Sequence, residues 1–477
     1  MEQLLIKKKE IVSAFLKHNI LVNRELLERL NQPHIVDEWH QAITQGKNPK
    51  ELIEKKQETT GVRIIWEYDD KPKKRTVQDF VDYFNARYRQ IQKLLTSRQD
   101  LQNLTSISRL RSKKDSEKIS IIGIIQDKGT TKNEHIMLTL EDTTGTIKVL
   151  VRKSAQDLMN TAKDLVFDEV IGVSGSVGDN IIFADSIVIP DIPIQQMKSS
   201  PDEVYACVLS CVHVGSGGFE HEKFNNFIQW TQGEFGTPEQ RAVASKLKYM
   251  FICGDIVDGV GIYPSQEKEL SIPDIREQYK ECARLLSQVP KHITMIICPG
   301  NHDVGRISEP QPKFLKEYAS PMYDIPNAIL VCNPCLVNIH ASDNFPGFDV
   351  LMYHGYSFDD YSECVPSIKH SGTHISDRAA LVMRFLLQRR HLAPQHSSTL
   401  YIPDPRYDPL VIERVPDLFF AGHIHKAGTL NHRSCTLIAG SCFQAKTDFQ
   451  EKVGHDPEPG VVPCINLKTR NVAFMRF

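Results

Sequence analysis

The sequence predicts a multidomain α/β protein built from a small N-terminal helical unit, a central β-barrel and a larger C-terminal α/β domain. Three successive patterns along the 477 residues predict this class. Apolar residues recur at helical spacing up to about residue 55, and they alternate with polar residues between 116 and 190. From residue 204 onward, apolar strand-like runs alternate with helical patterns.

The helical unit, residues 1–55, places Leu4, Ile11 and Phe15 at helical spacing and contains no candidate catalytic residue. Residues 56–115 form a linker segment, in which RIIWEY (63–68) is a predicted strand. The stretch 76–98 is typical of a long helix, and Thr76 is suited to cap its first turn.

Residues 116–192 predict a small barrel. Three strands, one helix over SAQDLMNTAKDL and two further strands follow one another, with turns at DTTG and GDN. Five strands with a helix between the third and fourth match an OB-fold. The first three strands contain no Phe, Tyr or Trp, on which single-stranded nucleic acid would stack. A protein contact is therefore at least as consistent with this barrel.

The composition restricts the function further. A net charge of −2 argues against tight nucleic-acid binding by this chain alone, because phosphates require clustered cations. No apolar run approaches the length of a membrane helix, and the N-terminus lacks a signal-peptide pattern. The eleven cysteines, irregularly spaced, predict reduced and mostly buried thiols. We therefore expect a cytoplasmic protein with no membrane partner.

The C-terminal domain, residues 200–477, carries polar clusters directly after its predicted strands. Five clusters share this placement: SCVHVGS (210–216), GDIVDG (254–259), PGNHD (299–303), YHG (353–355) and GHIHKAG (422–428). Strand ends are where an α/β sheet gathers an active site. Asp, Asn and His are the residue types that a two-metal centre needs, and each cluster has glycine for sharp turns. Together the clusters predict a metal centre.

This set of motifs resembles the calcineurin-like metallophosphoesterases, the family that includes the Mre11 nuclease. The resemblance implies a C-terminal β-sandwich flanked by helices. It also implies two divalent ions bridged by Asp255. The first ion would be held by His213, His425 and position 211, and the second by Asn301, His354 and His423.

The same resemblance assigns two residues to catalysis. His302 would stand over the scissile phosphate and stabilise or protonate the leaving oxygen, and Asp258 would orient His302 by a hydrogen bond. The two ions would activate a water molecule and hold the phosphodiester.

Four further stretches narrow the resemblance: GVRIIWEYDD, VQDFVDYFNARYRQIQKLLTSR, RRHLAPQ (389–395) and YDPLVIERVPDLFFAGHIHKAG (407–428). With the order of helical unit, OB-fold and phosphoesterase domain, the chain is similar to the small-subunit family of archaeal DNA polymerase D from about residue 60 onward.

That family implies a 3′-to-5′ exonuclease acting on single-stranded 3′ ends of DNA, with manganese or magnesium as its two metal ions. It implies a large catalytic subunit as the partner, and contacts with the sliding clamp and replisome through that complex. It also implies a nucleoid-associated location in an archaeal cell.

One predicted ligand departs from the family motif, because Cys211 occupies the position of the aspartate in Asp-x-His. A Cys211 thiolate could bind the first metal and favour zinc or iron. Alternatively, Cys211 is a spectator beside a weakened site, or it marks a lost activity that leaves a scaffold subunit. A free-standing metallophosphoesterase is a further alternative, against which the OB-fold and the helical unit count.

Overall fold

A computed structural model describes residues 2–18, 20, 22, 26, 30, 33–46, 48–49, 61–69, 73–447, 450–451, 454 and 456–477. The chain forms two compact units. The first comprises Met1–Arg63 with Ile339–Asn344, and the second comprises Ile64–Asn338 with Phe345–Phe477. The boundary predicted near residue 55 lies outside the described residues.

The described helices and strands are numbered separately in chain order. The helices are α1 (Glu2–Lys17), α2 (Pro33–Thr44), α3 (Val77–Thr96), α4 (Gln156–Asp164), α5 (His221–Thr231), α6 (Pro238–Ala244), α7 (Ile275–Leu286), α8 (Lys316–Tyr323), α9 (Phe358–Cys364), α10 (Pro366–Lys369) and α11 (Ala379–Arg389). None of these described helices is long and apolar enough to cross a membrane.

The strands fall into one barrel and two sheets. They are β1 (Val62–Glu67), β2 (Lys118–Thr130), β3 (Ile136–Asp142), β4 (Gly145–Val151), β5 (Val170–Gly178), β6 (Ile181–Val188), β7 (Tyr205–Leu209), β8 (Leu247–Cys253), β9 (Thr294–Cys298), β10 (Ala328–Leu330), β11 (Cys335–Ile339), β12 (Phe348–Met352), β13 (Leu418–Ala421), β14 (Gly428–His432), β15 (Cys435–Ala439), β16 (Val461–Asn466) and β17 (Val472–Arg476).

The first unit contains helices α1 and α2, as the apolar spacing predicted. Its core includes Ile11, Phe15, Val36 and Trp39, all buried. The rings of Phe15 and Trp39 lie 5.4 Å apart between centroids, so the apolar faces of the two helices pack on each other.

In the second unit, β2 to β6 close a barrel in the order β2-β3-β4-β6-β5. Helix α4 lies between the third and fourth of these strands, which confirms the strand count and helix position predicted from the sequence. The interior is aliphatic, with Ile121, Leu138, Val149 and Val173 fully buried, because alternate residues of each strand point inward.

The strand and the long helix predicted between residues 63 and 98 are both present as β1 and α3. Thr76 caps α3, and its side chain and that of Asp79 bond each other's backbone N–H in a capping box. On the buried face of this helix, the guanidinium of Arg87 donates to Asp408 (2.7 Å) and to the carbonyl of Pro394 (2.6 Å). The long helix α3 therefore packs on the stretches RRHLAPQ and YDPLV, which contain Pro394 and Asp408.

The remaining strands form two six-stranded sheets, in the orders β10-β9-β8-β7-β16-β17 and β1-β11-β12-β13-β15-β14. Strands β7, β8, β9 and β10 run parallel, as do β12, β13 and β15. The rings of Phe251 on β8 and Phe420 on β13 lie 4.9 Å apart, so the inner faces of the sheets pack together. Separate apolar clusters join each outer face to helices, including α5 and α7 on the first sheet and α9 and α11 on the second.

Candidate metal centre

The predicted ligands come together at the carboxyl ends of strands from both sheets. In the first sheet, β7 is followed by Cys211 and His213, β8 by Asp255 and β9 by Asn301. In the second sheet, β12 is followed by His354, and β13 is followed by His423 and His425. In-register pairing of the parallel strands, such as Cys253 beside Cys298, brings the loops that follow them to one edge. The site therefore lies where the two sheets meet.

Backbone strain is concentrated at this edge. Five predicted ligands adopt left-handed backbone angles: Cys211 (φ 52°), His213 (φ 56°), Asp255 (φ 53°), His423 (φ 71°) and His425 (φ 60°). Residues other than glycine rarely adopt this conformation, and it persists only where the surrounding structure enforces it. Such clustering is typical of a functional site.

Two glycines allow the loops to approach. Gly254 has φ +86°, and a Cβ there would collide with the His354 ring and the Gly300 backbone. A Cβ on Gly300 would collide with the Asp255 carboxylate. The glycines beside the ligands are thus required by space as well as by turn geometry.

One group of ligand atoms converges on Nε2 of His354. That atom lies 2.8 Å from Oδ1 of Asn301, 3.2 Å from Oδ2 of Asp255 and 3.3 Å from Nδ1 of His423. Nδ1 of His354 donates to the carbonyl of Cys253 (2.7 Å), so Nε2 is the ring nitrogen that faces the other three atoms. Burial opposes protonation of this ring, but the Asp255 charge outweighs burial and raises the pKa of His354. A proton on Nε2 or a bound cation would satisfy the electron pairs that face it.

A second group contains Cys211, His213 and His425, whose ligand atoms lie within 4.8 Å of one another. The Nε2 atoms of the two imidazoles are 3.2 Å apart. Cys211 also belongs to a second group of three with Asp255 and His354, whose ligand atoms lie within the same distance of one another. A third group of the same kind joins His213 and Asp255 to His302.

Cys211 is fully buried, and its Sγ lies 3.0 Å from Oγ of Ser210. The Ser210 hydroxyl donates to the carbonyl of Cys253, so the thiol is the donor between the two side chains. Burial and the Asp255 charge raise the pKa of the Cys211 thiol well above its ordinary value. Without a cation the side chain is therefore a thiol, and only a cation close to the sulfur would make it a thiolate.

The predicted contact between Asp258 and His302 is present, but a different atom of Asp258 makes it. It does bond His302, but through its main-chain carbonyl, which accepts from Nδ1 of His302 (2.7 Å). The Asp258 carboxylate instead holds Nδ1 of His213 (3.0 Å) and accepts from Gln266 (3.0 Å) and Gln444 (2.9 Å). The physical reason is that its carboxylate points to the buried His213 side of the loop, while the backbone faces His302.

Neighbouring ionisable groups of the site shift one another's pKa values. Burial alone would raise the pKa of the Asp255 carboxyl, but His354, His302 and His213 outweigh it and hold that pKa well below its usual range. Burial and the neighbouring His213 lower the pKa of His425 well below its ordinary value. The centre therefore holds an ionised carboxylate with a neutral imidazole beside it, and both are suitable metal ligands.

Three supporting side chains were not identified from the sequence. Oδ2 of Asp359 lies 3.1 Å from Nε2 of His423, and Nε2 of Gln450 lies 2.8 Å from Nδ1 of His425. Gln444 bonds Asp258 and Ser216. Asp359 lies at the start of α9, Gln444 in an isolated β-bridge with Phe219 and Gln450 at a helical position. None of these positions has a distinctive local pattern, so no sequence signal identifies them.

Asp303, next to His302, supports the loops. Its carboxylate accepts from the backbone N–H of Gly300 (2.9 Å) and is 3.4 Å from that of Ile256. Burial and the Asp255 charge raise the pKa of the Asp303 carboxyl to about 7.

The ligands open into a cleft of about 680 Å³. Its walls include His302, Tyr263 and Tyr356, and its rim includes Ile307 and Leu400. A cleft of this volume is within the range that accommodates small organic ligands.

Comparisons with known proteins show which family the chain resembles in sequence. A model of the family of B subunits of DNA polymerases alpha and epsilon matches residues 208–429, a range that contains every predicted ligand. The DNA polymerase II small subunit of Methanothermobacter thermautotrophicus is 39% identical over 390 residues, which cover 82% of this chain and 78% of that protein.

The small subunit of Pyrococcus furiosus is 38% identical over 400 residues, or 83% of this chain, and the small subunit of Halobacterium salinarum is 35% identical over 404 residues, or 84% of this chain. The chain spans 63% of the length of the Pyrococcus protein and 75% of the Halobacterium protein.

Proposed function

The chain belongs to the family of archaeal DNA polymerase II (polymerase D) small subunits, and we propose that it carries a metal-dependent 3′-to-5′ exonuclease within such a polymerase. The observation that carries the proposal is the convergence of Asp255, Asn301, His354 and His423 on one point, with the Cys211 group beside it. No packing requirement explains why so many electron-pair donors should face one another inside a protein.

The residues present fit two divalent ions. Cys211, His213 and His425 would hold the first, Asn301, His354 and His423 the second, and Asp255 would bridge them. When bound, divalent ions polarise a phosphodiester and make a bound water molecule a better nucleophile. Oxygen and imidazole ligands suit manganese or magnesium, whereas a Cys211 thiolate would shift the preference of the first position toward zinc or iron.

His302 is the proposed acid. The Asp258 carbonyl can only accept, so Nδ1 of His302 carries a proton and Nε2 is the atom that gives or takes a proton in the cleft. The backbone N–H of His302 also donates to Oδ1 of Asp255 (2.8 Å), which fixes the residue relative to the proposed bridging ligand. The ring is thereby positioned to meet a leaving oxygen.

The proposed partner is a large catalytic subunit that provides most of the affinity for DNA. A chain with net charge −2 has little electrostatic affinity for a polyanion, so the 3′ end would be delivered by a more basic partner. Contacts with a sliding clamp would then be made through the complex.

A silent scaffold subunit is the second candidate, and Cys211 is the observation that favours it. A fully buried thiol with a raised pKa is a poor ligand for magnesium, and a site that lost its first ion would lose hydrolysis.

One experiment separates the two candidates. The full chain, alone and with its large subunit, is incubated with 5′-labelled single-stranded DNA in magnesium, manganese or zinc. We expect a ladder that shortens from the 3′ end, and a loss of at least about 100-fold in Asp255→Asn and His302→Ala, since each removes a group that acts in the transition state.

His292→Ala is the matched control, because His292 is an exposed histidine outside the site. It should cleave like the wild type. No cleavage with any metal in the wild type, together with cleavage in Cys211→Asp, would establish the scaffold function instead.

A further inference from the structure

The walls of the cleft contain aromatic and aliphatic side chains that metal binding does not require. Tyr263 lies beside the proposed acid, with its ring centroid 6.5 Å from that of His302. Tyr356 lies beside a predicted metal ligand, with its ring centroid 5.6 Å from that of His423. Both tyrosines are half-buried and line the cleft. Aromatic rings thus lie beside both the proposed acid and a predicted ligand.

Tyr263 is held in place by its hydroxyl, which donates to Oε2 of Glu269 (3.0 Å). Fixing both ends of the side chain keeps the ring beside His302. A ring that is already ordered loses little conformational entropy when a ligand packs on it.

The rim of the cleft adds apolar surface. Ile307 is 41% exposed and Leu400 is 59% exposed, and both line the cleft. Large aliphatic side chains at the mouth of a polar cleft are more useful to a ligand with an apolar face than to a free phosphate.

The described lining of the cleft offers no strongly basic side chain that could pair with a phosphate backbone. Among the described residues that line the cleft there is no lysine or arginine, and Asp359 and Asp360 add negative charge. The cleft therefore does not select its substrate by ion pairs with phosphates, and the remaining recognition must come from another part of the nucleotide.

We propose that Tyr263 and Tyr356 are specificity-determining residues that stack on nucleobases next to the scissile phosphate, so that the cleft accepts an unpaired nucleic-acid end. Bases present a π-face to aromatic side chains whatever their sequence, but a base inside a duplex is already stacked and paired. This inference rests on the proposed phosphodiester chemistry at the same centre, and it gives a cleft lined by no lysine or arginine among the described residues a way to recognise an unpaired end.

The test compares two single-stranded oligothymidylates with a 5′ fluorophore, one intact and one abasic at its last two 3′ nucleotides. Binding to the full chain, alone and in complex with its large subunit, is measured by fluorescence anisotropy in calcium, and cleavage is measured in manganese. We expect the wild type to bind the intact end about tenfold more tightly than the abasic end. Tyr263→Ala and Tyr356→Ala should each reduce this ratio severalfold, and both substitutions together should bring it close to one.

Tyr356→Phe keeps the ring and should keep the ratio, whereas Tyr263→Phe keeps the ring but loses the bond to Glu269 and should give a ratio between those of the wild type and Tyr263→Ala. Tyr318→Ala removes a half-buried tyrosine that stacks on Arg276 of the surface helix α7, and it should also leave the ratio unchanged. A wild type that binds both ends equally, or alanine variants that keep the full ratio, would overturn the inference.

The two proposals fail differently. Equal cleavage of intact and abasic ends would contradict base stacking and leave the exonuclease in place. A preference for the intact end in binding, with no cleavage of either oligonucleotide, would contradict the exonuclease and support the stacking residues. Absence of binding to both oligonucleotides would overturn the stacking inference.

Discussion

Nε2 of His423 lies 3.1 Å from Oδ2 of Asp359, and this contact leaves Nδ1 of the same ring turned toward His354. The carboxylate accepts the Nε2 proton, so the electron pair of the neutral imidazole stays on Nδ1. Carboxylates that hold metal-binding histidines in this way fix both the tautomer and the ring orientation. Asp359 is thus a positioning residue for His423 and for the ligands that converge on His354.

Removing Asp359 should weaken metal binding without abolishing it. We expect Asp359→Ala to lower the affinity for manganese by about 10–100-fold, because the His423 ring loses its fixed tautomer. Asp359→Asn, which retains an acceptor oxygen, should have an affinity between those of the wild type and Asp359→Ala. Calorimetric titration of the metal-free chain measures this directly. Asp324→Ala, an exposed aspartate at the end of α8, is the control, and an equal loss in that variant would refute the role of Asp359.

The ligand clusters could be predicted because each follows an apolar strand, and parallel strands bring such positions to one edge. Asp359 could not, because it occurs in the helix start FDDY, where an acidic residue is ordinary. The Asp258 contact was predicted at the level of the residue only. Which of its oxygens faces His302 depends on the tertiary arrangement of the loop, which local sequence does not encode.

Whether the Cys211 sulfur binds a metal ion can be measured by spectroscopy. If its sulfur binds the first ion, the cobalt-substituted chain should show a thiolate-to-cobalt charge-transfer band, which Cys211→Asp and Cys211→Ser should lack. Cys211→Asp should also bind manganese more tightly, by about tenfold or ~1.4 kcal/mol, because a carboxylate suits a hard ion better than a thiol does.

Cys442 provides the matched control, because it is a buried thiol outside the predicted ligand set. Cys442→Ser should keep the band. A wild type without the band would assign Cys211 a spectator role.

The Arg87–Asp408 ion pair should be essential for stability, since both side chains are fully buried. Arg87→Met leaves the Asp408 charge without its guanidinium partner, and we expect a loss of about 3–5 kcal/mol in the free energy of unfolding. The double variant Arg87→Met/Asp408→Asn should lose less than the single one, because no unpaired charge remains. Denaturant unfolding followed by circular dichroism measures both.

Arg89→Ala, an exposed arginine on the same helix, should change the free energy of unfolding by no more than about 0.5 kcal/mol. An equally small change in Arg87→Met would show that the pair contributes little.

His391 is held neutral by the same buried cluster. Its Nε2 donates to Oδ2 of Asp408 (2.8 Å), while Nδ1 accepts from the backbone N–H of Ala393 (2.9 Å). A proton on Nδ1 would remove that acceptor and place a second cation beside Arg87. Burial and the charge of Arg87 accordingly lower the pKa of His391 to about 4.

This depressed pKa predicts a pH dependence of stability. Between pH 4 and the ordinary histidine value near 6.5, the unfolded chain binds a proton that the folded chain does not. The contribution of His391 is therefore fully present above about pH 6.5 and is lost as the pH falls toward 4, by about 3 kcal/mol in all.

His391→Gln mimics the neutral ring, with one donor and one acceptor, and cannot be protonated. Its free energy of unfolding should fall less steeply over this range, by up to about 1.4 kcal/mol per pH unit, whereas His292→Gln at the exposed control position should follow the wild type. Parallel curves for the wild type and His391→Gln would show that His391 is already protonated in the folded chain.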